Sequence, residues 1–314
     1  MLKIAFVGMG SIGKRHLTNV CTYLEQEGRA YAIDLYRSGY GRILDAGIAS
    51  KIHREFILTT DYAISERYDI VFITNPTALH YETIRRFASA ADAMFIEKPV
   101  FDSPDLDVDA LDLLSNGIYY VACPLRYHPV IAYVREHVPC ENVYVARAIN
   151  SSYLPDWRPG TDYRTCYSAR RDMGGGVDID LIHEWDYLTC LFGPVRTGFA
   201  IRGQVSHLEI DSNDIAIYIA RTEHTVIDLH LDYFGRKSIR QLQLFLPEET
   251  VSCDILSGTV YYQVSGKQIQ LQKERNNYQM AEIRHFFEVL DGKCPNDSDI
   301  TGALRVLRYA KGVF

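Results

Sequence analysis

A short, largely apolar run, Leu2-Lys3-Ile4-Ala5-Phe6-Val7, stops at Gly8-Met9-Gly10-Ser11-Ile12-Gly13. A helical pattern follows over 14–24, with Leu17, Val20, Cys21 and Leu24 spaced for one apolar face. A strand, then G-x-G-x-x-G, then a helix leaves few folds open to the start of a chain. Each glycine has its own reason. Gly8 permits the tight turn, Gly10 lets backbone approach a pyrophosphate, and Gly13 lets the helix pack close to the strand. The N–H groups of Ser11, Ile12 and Gly13 then lie at the positive end of a helix, where phosphate is favoured. A dinucleotide is therefore expected on Gly8, Gly10, Ser11, Ile12 and Gly13.

The pattern that follows agrees with such a start. Strands are expected at 30–36, 70–74, 93–96 and 118–122, with helices at 77–90 and 105–114 between them. Strands alternating with helices predict βαβ units and a doubly wound parallel sheet over residues 1–122. Beyond residue 123 the rhythm changes. Strand-like segments at 143–150, 195–205, 215–220, 225–233, 239–246, 251–255, 259–264 and 268–272 are joined by turn pairs such as Ser257-Gly258 and Ser265-Gly266. A second domain over 123–314 is expected, built on a mostly antiparallel sheet with helices at 177–191, 278–290 and 299–310.

Composition excludes several functions. The 314 residues carry a net charge of −7, which argues against nucleic acid or an anionic membrane as the main partner. No apolar run reaches the roughly 18–20 residues of a membrane span. The start of the chain does not read as a signal peptide, because its apolar stretch runs straight into the glycine motif. Seven widely spaced cysteines without a C-x-x-C pair read as free thiols in a reducing cytoplasm. They also lack the usual clustering of zinc ligands, so no metal is expected.

Four stretches together resemble the glucose–fructose oxidoreductase, inositol dehydrogenase and MocA (Gfo/Idh/MocA) family. They are Gly8 to His16, Thr74-Asn75-Pro76-Thr77-Ala78-Leu79-His80, Glu97-Lys98-Pro99, and Gly174-Gly175-Gly176 leading to Asp180-Leu181-Ile182-His183-Glu184-Trp185-Asp186. The resemblance implies an N-terminal Rossmann domain, a C-terminal open-faced sheet, and hydride exchange between nicotinamide and a hydroxyl-bearing or keto carbon of a sugar or polyol. It implies that Lys98 and His183 serve the reacting hydroxyl, with Asp180, three residues before His183, assisting. It places Thr74, Asn75, Pro76, His80, Glu97 and Lys98 beside the cofactor, and Arg126 and Tyr127 at the active site. It also implies a homodimer or homotetramer formed through the C-terminal sheet.

The end of the second strand decides between NAD and NADP, and it reads two ways. Asp34 has the spacing of a carboxylate that binds the adenosine ribose. If the strand runs on, its tip is instead Arg37-Ser38, a pair suited to phosphate; this second reading, NADP, is favoured. Substrate is expected near the aromatic and basic stretch that holds Trp157, Tyr163 and Arg164, which suits an acidic sugar or a sugar nucleotide. The alternatives from other classes are a non-catalytic dinucleotide redox sensor and a biliverdin- or imine-reductase-like enzyme. An enzyme that keeps and recycles its NAD is a third.

Overall fold

The computed structural model describes residues 1–39, 44–59, 62–272 and 274–314. They form two compact units: Met1–Ala122 with Gln279–Leu304, and Cys123–Tyr278 with Arg305–Phe314.

In the first unit β1 (Leu2–Val7) leads through α1 (Ser11–Gln26) to β2 (Tyr31–Arg37). Then come α2 (Ala46–Ala49), β3 (Arg54–Ile57), β4 (Tyr68–Ile73), α3 (His80–Phe87), β5 (Ala91–Ile96) and β6 (Ile118–Val121). The six strands lie in the order β3-β2-β1-β4-β5-β6, all parallel. Strand order reverses between β1 and β4, and the crevice outside their carboxyl ends is where sheets of this kind bind ligands. The last four residues of β1, β4 and β5 are buried, as strands covered on both faces must be. Helix α1 begins inside the glycine motif rather than at residue 14.

The helix expected at 105–114 does not form. A single helical turn at Asp109–Leu111 stands there, and Asp112 is left-handed with φ of 51°. Ser103 Oγ accepts the Asp105 N–H and Asp107 Oδ1 accepts the Asp109 N–H. Side-chain bonds of this kind compete with a helix for the same backbone groups. Strand β3 and helix α2 carry no apolar periodicity strong enough to have been expected.

The second unit begins with α4 (Pro129–His137) and β7 (Val145–Tyr153). Two short helices follow, α5 (Val177–Asp180) and α6 (His183–Phe192). Then come β8 (Thr197–Gly203), β9 (Ile215–Arg221), β10 (Val226–Asp232), β11 (Phe234–Phe245), β12 (Thr250–Asp254), β13 (Thr259–Tyr262) and β14 (Gln268–Gln270). The eight strands order as β14-β13-β12-β11-β7-β10-β9-β8, antiparallel except for β7 beside β10. The expected helix over 177–191 is thus two pieces, broken at Leu181 and Ile182. One face of the sheet carries the helices: Trp185 of α6 is fully buried edge-on against Tyr218 of β9. On the other face Phe199 of β8 lies opposite Ile219 of β9, and both are exposed.

Two last helices are α7 (Arg275–Leu290) and α8 (Ile300–Ala310). Phe286 of α7 packs on Phe72 and Phe95, and Phe287 stacks on Tyr23. Burying a phenylalanine stabilises by about 2–3 kcal/mol, which draws 279–304 onto the first unit. The stretch 123–314 is therefore interrupted rather than one continuous domain. Among the described residues no helix is long and apolar enough to cross a membrane.

Candidate functional site

Each glycine of the turn after β1 has a separate steric cause. Gly8 has φ of +90°, and a Cβ there would stand 2.7 Å from backbone atoms of Asn75. A Cβ on Gly13 would meet Thr74 Oγ1 at 2.7 Å and the Gly8 carbonyl at 2.9 Å. Gly10 differs: its Cβ would meet nothing within 4 Å. Packing does not demand a glycine at that position, but a ligand that must touch the backbone would. No side chain caps the first turn of α1 at Ser11, Ile12 and Gly13, and no acid stands in it. Its N–H groups therefore point a positive helix end toward that open space. Thr74 closes the cradle by donating from Oγ1 to the Gly8 carbonyl at 2.9 Å. Asn75 donates to Thr83 Oγ1, and its buried Oδ1 meets no partner among the described residues. Pro76 starts the turn at Thr77–Leu79. These features fit a dinucleotide pyrophosphate.

Asp34 does not join this cradle. It pairs in register with Ala5, in the middle of the sheet, and is 4% exposed. Arg54 holds both its oxygens, and the phenol of Tyr68, the first residue of β4, donates to Oδ2 at 2.9 Å. The carboxylate therefore faces the start of β4, whereas the glycine turn follows the end of β1. Strand β2 runs on to Arg37, whose Nε donates to Glu55 at 2.5 Å, and Ser38 is exposed beyond it.

The Glu97-Lys98-Pro99 turn follows β5, with a cis bond before Pro99. His16, on α1 and 1% exposed, meets the Glu97 carboxylate at 2.5 Å through Nε2. The His16 ring also packs edge-on against Phe95 at 4.9 Å. Burial would raise the Glu97 pKa, but the His16 bond and the Lys98 charge outweigh it, and the net is a lowering. Glu97 also accepts the Lys98 backbone N–H at 3.1 Å. His80 is equally buried. Its Nε2 faces the Asn75 carbonyl at 3.0 Å and its Nδ1 the Pro99 carbonyl at 3.1 Å. Burial lowers its pKa. His80 thus ties the turn after β4 to the turn after β5. Sequence reasoning gave no role to His16, although it closes the first quoted motif.

In the second unit Asp180 ends α5 and His183, half-buried, begins α6. The break between them removes the shared helix face that their spacing suggests. Asp180 accepts from Tyr167 at 2.5 Å and from Tyr233 at 2.6 Å. Burial pushes both phenols well up, so they remain donors and Asp180 their acceptor. The adjacent Glu184 is wholly buried. It accepts from Arg240 at 2.6 Å and Asn150 at 3.0 Å, anchoring α6 to the sheet.

The expected substrate residues separate into two groups. Arg126 grips Asp186 through Nε and Nη2 at 3.0 and 2.7 Å, fixing the turn at Pro124–Tyr127 to α6. Arg164 is exposed and bound to Asp162 and Glu209, and the Tyr163 hydroxyl accepts the Glu209 N–H. These residues serve the loop itself. Trp157 instead lines a cavity of about 570 Å³ with Tyr153, Arg158, Arg236, Ser238 and Arg275. Arg236 lies 3.9 Å over the Tyr153 ring. Three guanidinium groups and two aromatic faces meet there with a single acid, Asp156. Arg236 and Arg275 come from β11 and α7, far along the chain from Trp157, and a scan for local clusters passes them over.

Residues 2–114 match the family described as an oxidoreductase family with an NAD-binding Rossmann fold (GFO_IDH_MocA). An uncharacterized oxidoreductase of Bacillus subtilis (strain 168), YrbE, is 26% identical over 222 residues. That match spans 67% of this chain and 61% of the relative's length. The solved UDP-N-acetylglucosamine 3-dehydrogenase GnnA from Acidithiobacillus ferrooxidans has a TM-score of 0.74 at 20% identity, over 99% of this chain and 95% of that one. A levoglucosan dehydrogenase solved with NADH has a TM-score of 0.82 at 14% identity, over the same shares of the two chains. At these identities the structures establish a shared fold.

Proposed function

We propose that this chain, whose residues 2–114 match an oxidoreductase family with an NAD-binding Rossmann fold, is a Gfo/Idh/MocA-type nicotinamide-dependent dehydrogenase acting on a secondary hydroxyl, or the matching ketone, of an anionic sugar or sugar nucleotide. The cofactor, when bound, accepts or supplies the hydride. Gly8, Gly10, Ser11, Ile12 and Gly13 hold its pyrophosphate, with Thr74, Asn75 and Pro76 beside it. With Asp34 committed to Arg54 and Tyr68, the adenosine end meets Arg37 and Ser38. That arrangement supports a preference for NADPH over NADH, although the levoglucosan dehydrogenase was solved with NADH.

Lys98 and His183 carry the proton chemistry. The Lys98 ammonium holds the reacting oxygen and stabilises negative charge on it, while His183 takes the hydroxyl proton as hydride leaves the carbon. In the reverse direction His183 returns that proton. Asp180, held by two tyrosines, is a positioning residue. His80 and Glu97 set the shape of the Lys98 turn.

The observation that carries the substrate class is the cavity of Arg158, Arg236 and Arg275 beside Trp157 and Tyr153. One structural relative acts on a UDP-sugar and another on levoglucosan, a neutral compound. Three arginines in one cavity favour the charged class, since guanidinium pairs bidentately with phosphate or carboxylate. Exposed Phe199, Ile201 and Ile219 on the open sheet face support a homodimer or homotetramer formed there.

Steady-state kinetics on a panel of UDP-sugars, sugar acids and neutral sugars test the reading. Arg236→Ala should raise KM for anionic substrates by about 10-fold or more and leave neutral ones unchanged, whereas Arg164→Ala should change neither. Lys98→Ala and His183→Ala should each lower kcat by about 10²–10⁴ with dinucleotide affinity retained. Turnover at the wild-type rate in either variant overturns the assignment.

A further inference from the structure

The first unit holds a cluster that the dehydrogenase chemistry does not use. His285 and Glu288 stand one turn apart on α7, and Cys294 lies in the loop that follows. Cys294 Sγ is 3.8 Å from His285 Nδ1, and Glu288 Oε2 is 3.9 Å from that same nitrogen. All three ligand atoms lie within 4.8 Å of one another. The other ring nitrogen, Nε2, meets Asp297 Oδ1 at 3.1 Å.

The backbone builds this arrangement. Helix α7 ends in a paired turn: the Lys293 N–H bonds the Glu288 carbonyl and the Gly292 N–H bonds the Val289 carbonyl. Gly292 is left-handed, with φ of +69°. This C-terminal cap reverses the chain and brings Cys294 back beside His285. The loop is then pinned to β6. Asn296 donates to the Tyr119 carbonyl at 2.9 Å, and Ser298 donates to the Val121 carbonyl at 2.7 Å. Cys294 and Asp297 therefore hang from a frame fixed at both ends.

We propose that His285 Nδ1, Glu288 Oε2 and Cys294 Sγ bind one zinc ion, with Asp297 orienting the imidazole through its Nε2–H. One nitrogen, one carboxylate and one thiolate are a ligand set for zinc. A carboxylate on the far nitrogen of a metal-binding histidine is the usual outer partner. Tetrahedral zinc needs neighbouring ligand atoms about 3.3–3.6 Å apart, so the 3.8 and 3.9 Å separations must close by about 0.2–0.6 Å, and the thiol–carboxylate separation, which is no more than 4.8 Å, by up to about 1.2 Å through side-chain rotation. The fourth position is left to water or another small ligand. The spacing, His-x-x-Glu-x5-Cys, explains why a search for paired cysteines finds nothing.

The full chain, stripped with a chelator and desalted, is titrated with Zn²⁺ against a chromophoric competitor, and separately with Co²⁺. One equivalent should bind, and Co²⁺ should give a near-ultraviolet thiolate absorption. Cys294→Ser should abolish that band and weaken zinc binding by about 100-fold or more, and Asp297→Asn should weaken it by about 10–100-fold. Glu288→Gln, a near-isosteric change at a half-buried helix position, should weaken zinc while dinucleotide binding stays intact. Absence of stoichiometric binding by the wild type overturns the proposal. So does equal affinity in the Cys294→Ser and Glu288→Gln proteins, which would place the ion elsewhere.

Discussion

His16→Ala should be the most costly single change near the Lys98 turn, although His16 itself is out of solvent. Two losses add. The first is steric: removing the ring from beside the stacked Phe72 and Phe95 leaves roughly 60 Å³, which at about 24 cal/mol per Å³ costs about 1.5 kcal/mol. The second is the 2.5 Å bond to the Glu97 carboxylate, and a buried bond to a charged group contributes about 1.5–3 kcal/mol. Together they give about 3–4.5 kcal/mol, a large share of the stability of an ordinary domain. Glu97→Gln keeps a neutral acceptor and should cost only about 1–2 kcal/mol. Urea unfolding of both single variants and the double variant should show a coupling of about 1–2 kcal/mol. The catalytic consequence is separate. Because Glu97 also holds the Lys98 N–H, His16→Ala should lower kcat by about 10-fold or more with dinucleotide affinity nearly unchanged. The pH dependence has a definite sign. A carboxylate whose pKa is lowered in the folded state stabilises above its unfolded value, about 4.3, and that stabilisation fades as pH falls through the lowered value. The gap in stability between wild type and Glu97→Gln should therefore narrow only in acid. Additive single variants, or a His16→Ala protein within 1 kcal/mol of wild type, would refute the coupling.

Gly10→Val should weaken dinucleotide binding by about 100-fold, measured by fluorescence titration, and leave Tm nearly unchanged, because its side chain enters open space. Gly8→Ala should show the reverse balance, losing about 2–4 kcal/mol of stability, because its Cβ strikes the Asn75 backbone at positive φ. Arg37→Ala should weaken NADPH by about 10-fold while leaving NADH within 2-fold; equal losses for both would return the ribose end to another residue. Phe199→Asp, in the exposed pair with Ile219, should shift the protein to a smaller species in light-scattering chromatography, and an unchanged mass would place any interface elsewhere.

What could be read from the sequence was what one residue type enforces locally. The glycine turn, the Thr74-Asn75-Pro76 step and the ends of β1, β4 and β6 depend on backbone conformation and short apolar runs, both visible over a few residues. The choice between Asp34 and Arg37 was less local. It turns on whether β2 continues past Asp34, and β2 pairs with β3 up to Arg37, which supports the proposed role of Arg37. Once the strand continues, Asp34 lies within the sheet and needs a partner. Arg54 and Tyr68, from two other strands, supply it. His16 and Glu97 are 81 residues apart. Nothing short-range links them, and only the parallel stacking of β1, β4 and β5 brings α1 over the turn after β5.

The arginines show the same division more sharply. The stretch around Tyr163 reads as a basic patch, yet Arg164 has Asp162 two residues before it and Arg170 has Asp172 two residues after it. In tight helical turns these spacings let each acid reach its arginine, so the charge is spent within the loop before any ligand arrives. Arg126 is neutralised by Asp186 across 60 residues. The cavity collects Arg158, Arg236 and Arg275 from three separate segments around one acid, so its positive character is created by the fold and is absent from any single stretch. A count of basic residues along a chain therefore overstates local patches and misses assembled ones. Ligand-binding charge is better sought where arginines from different strands and helices converge with fewer acids than bases.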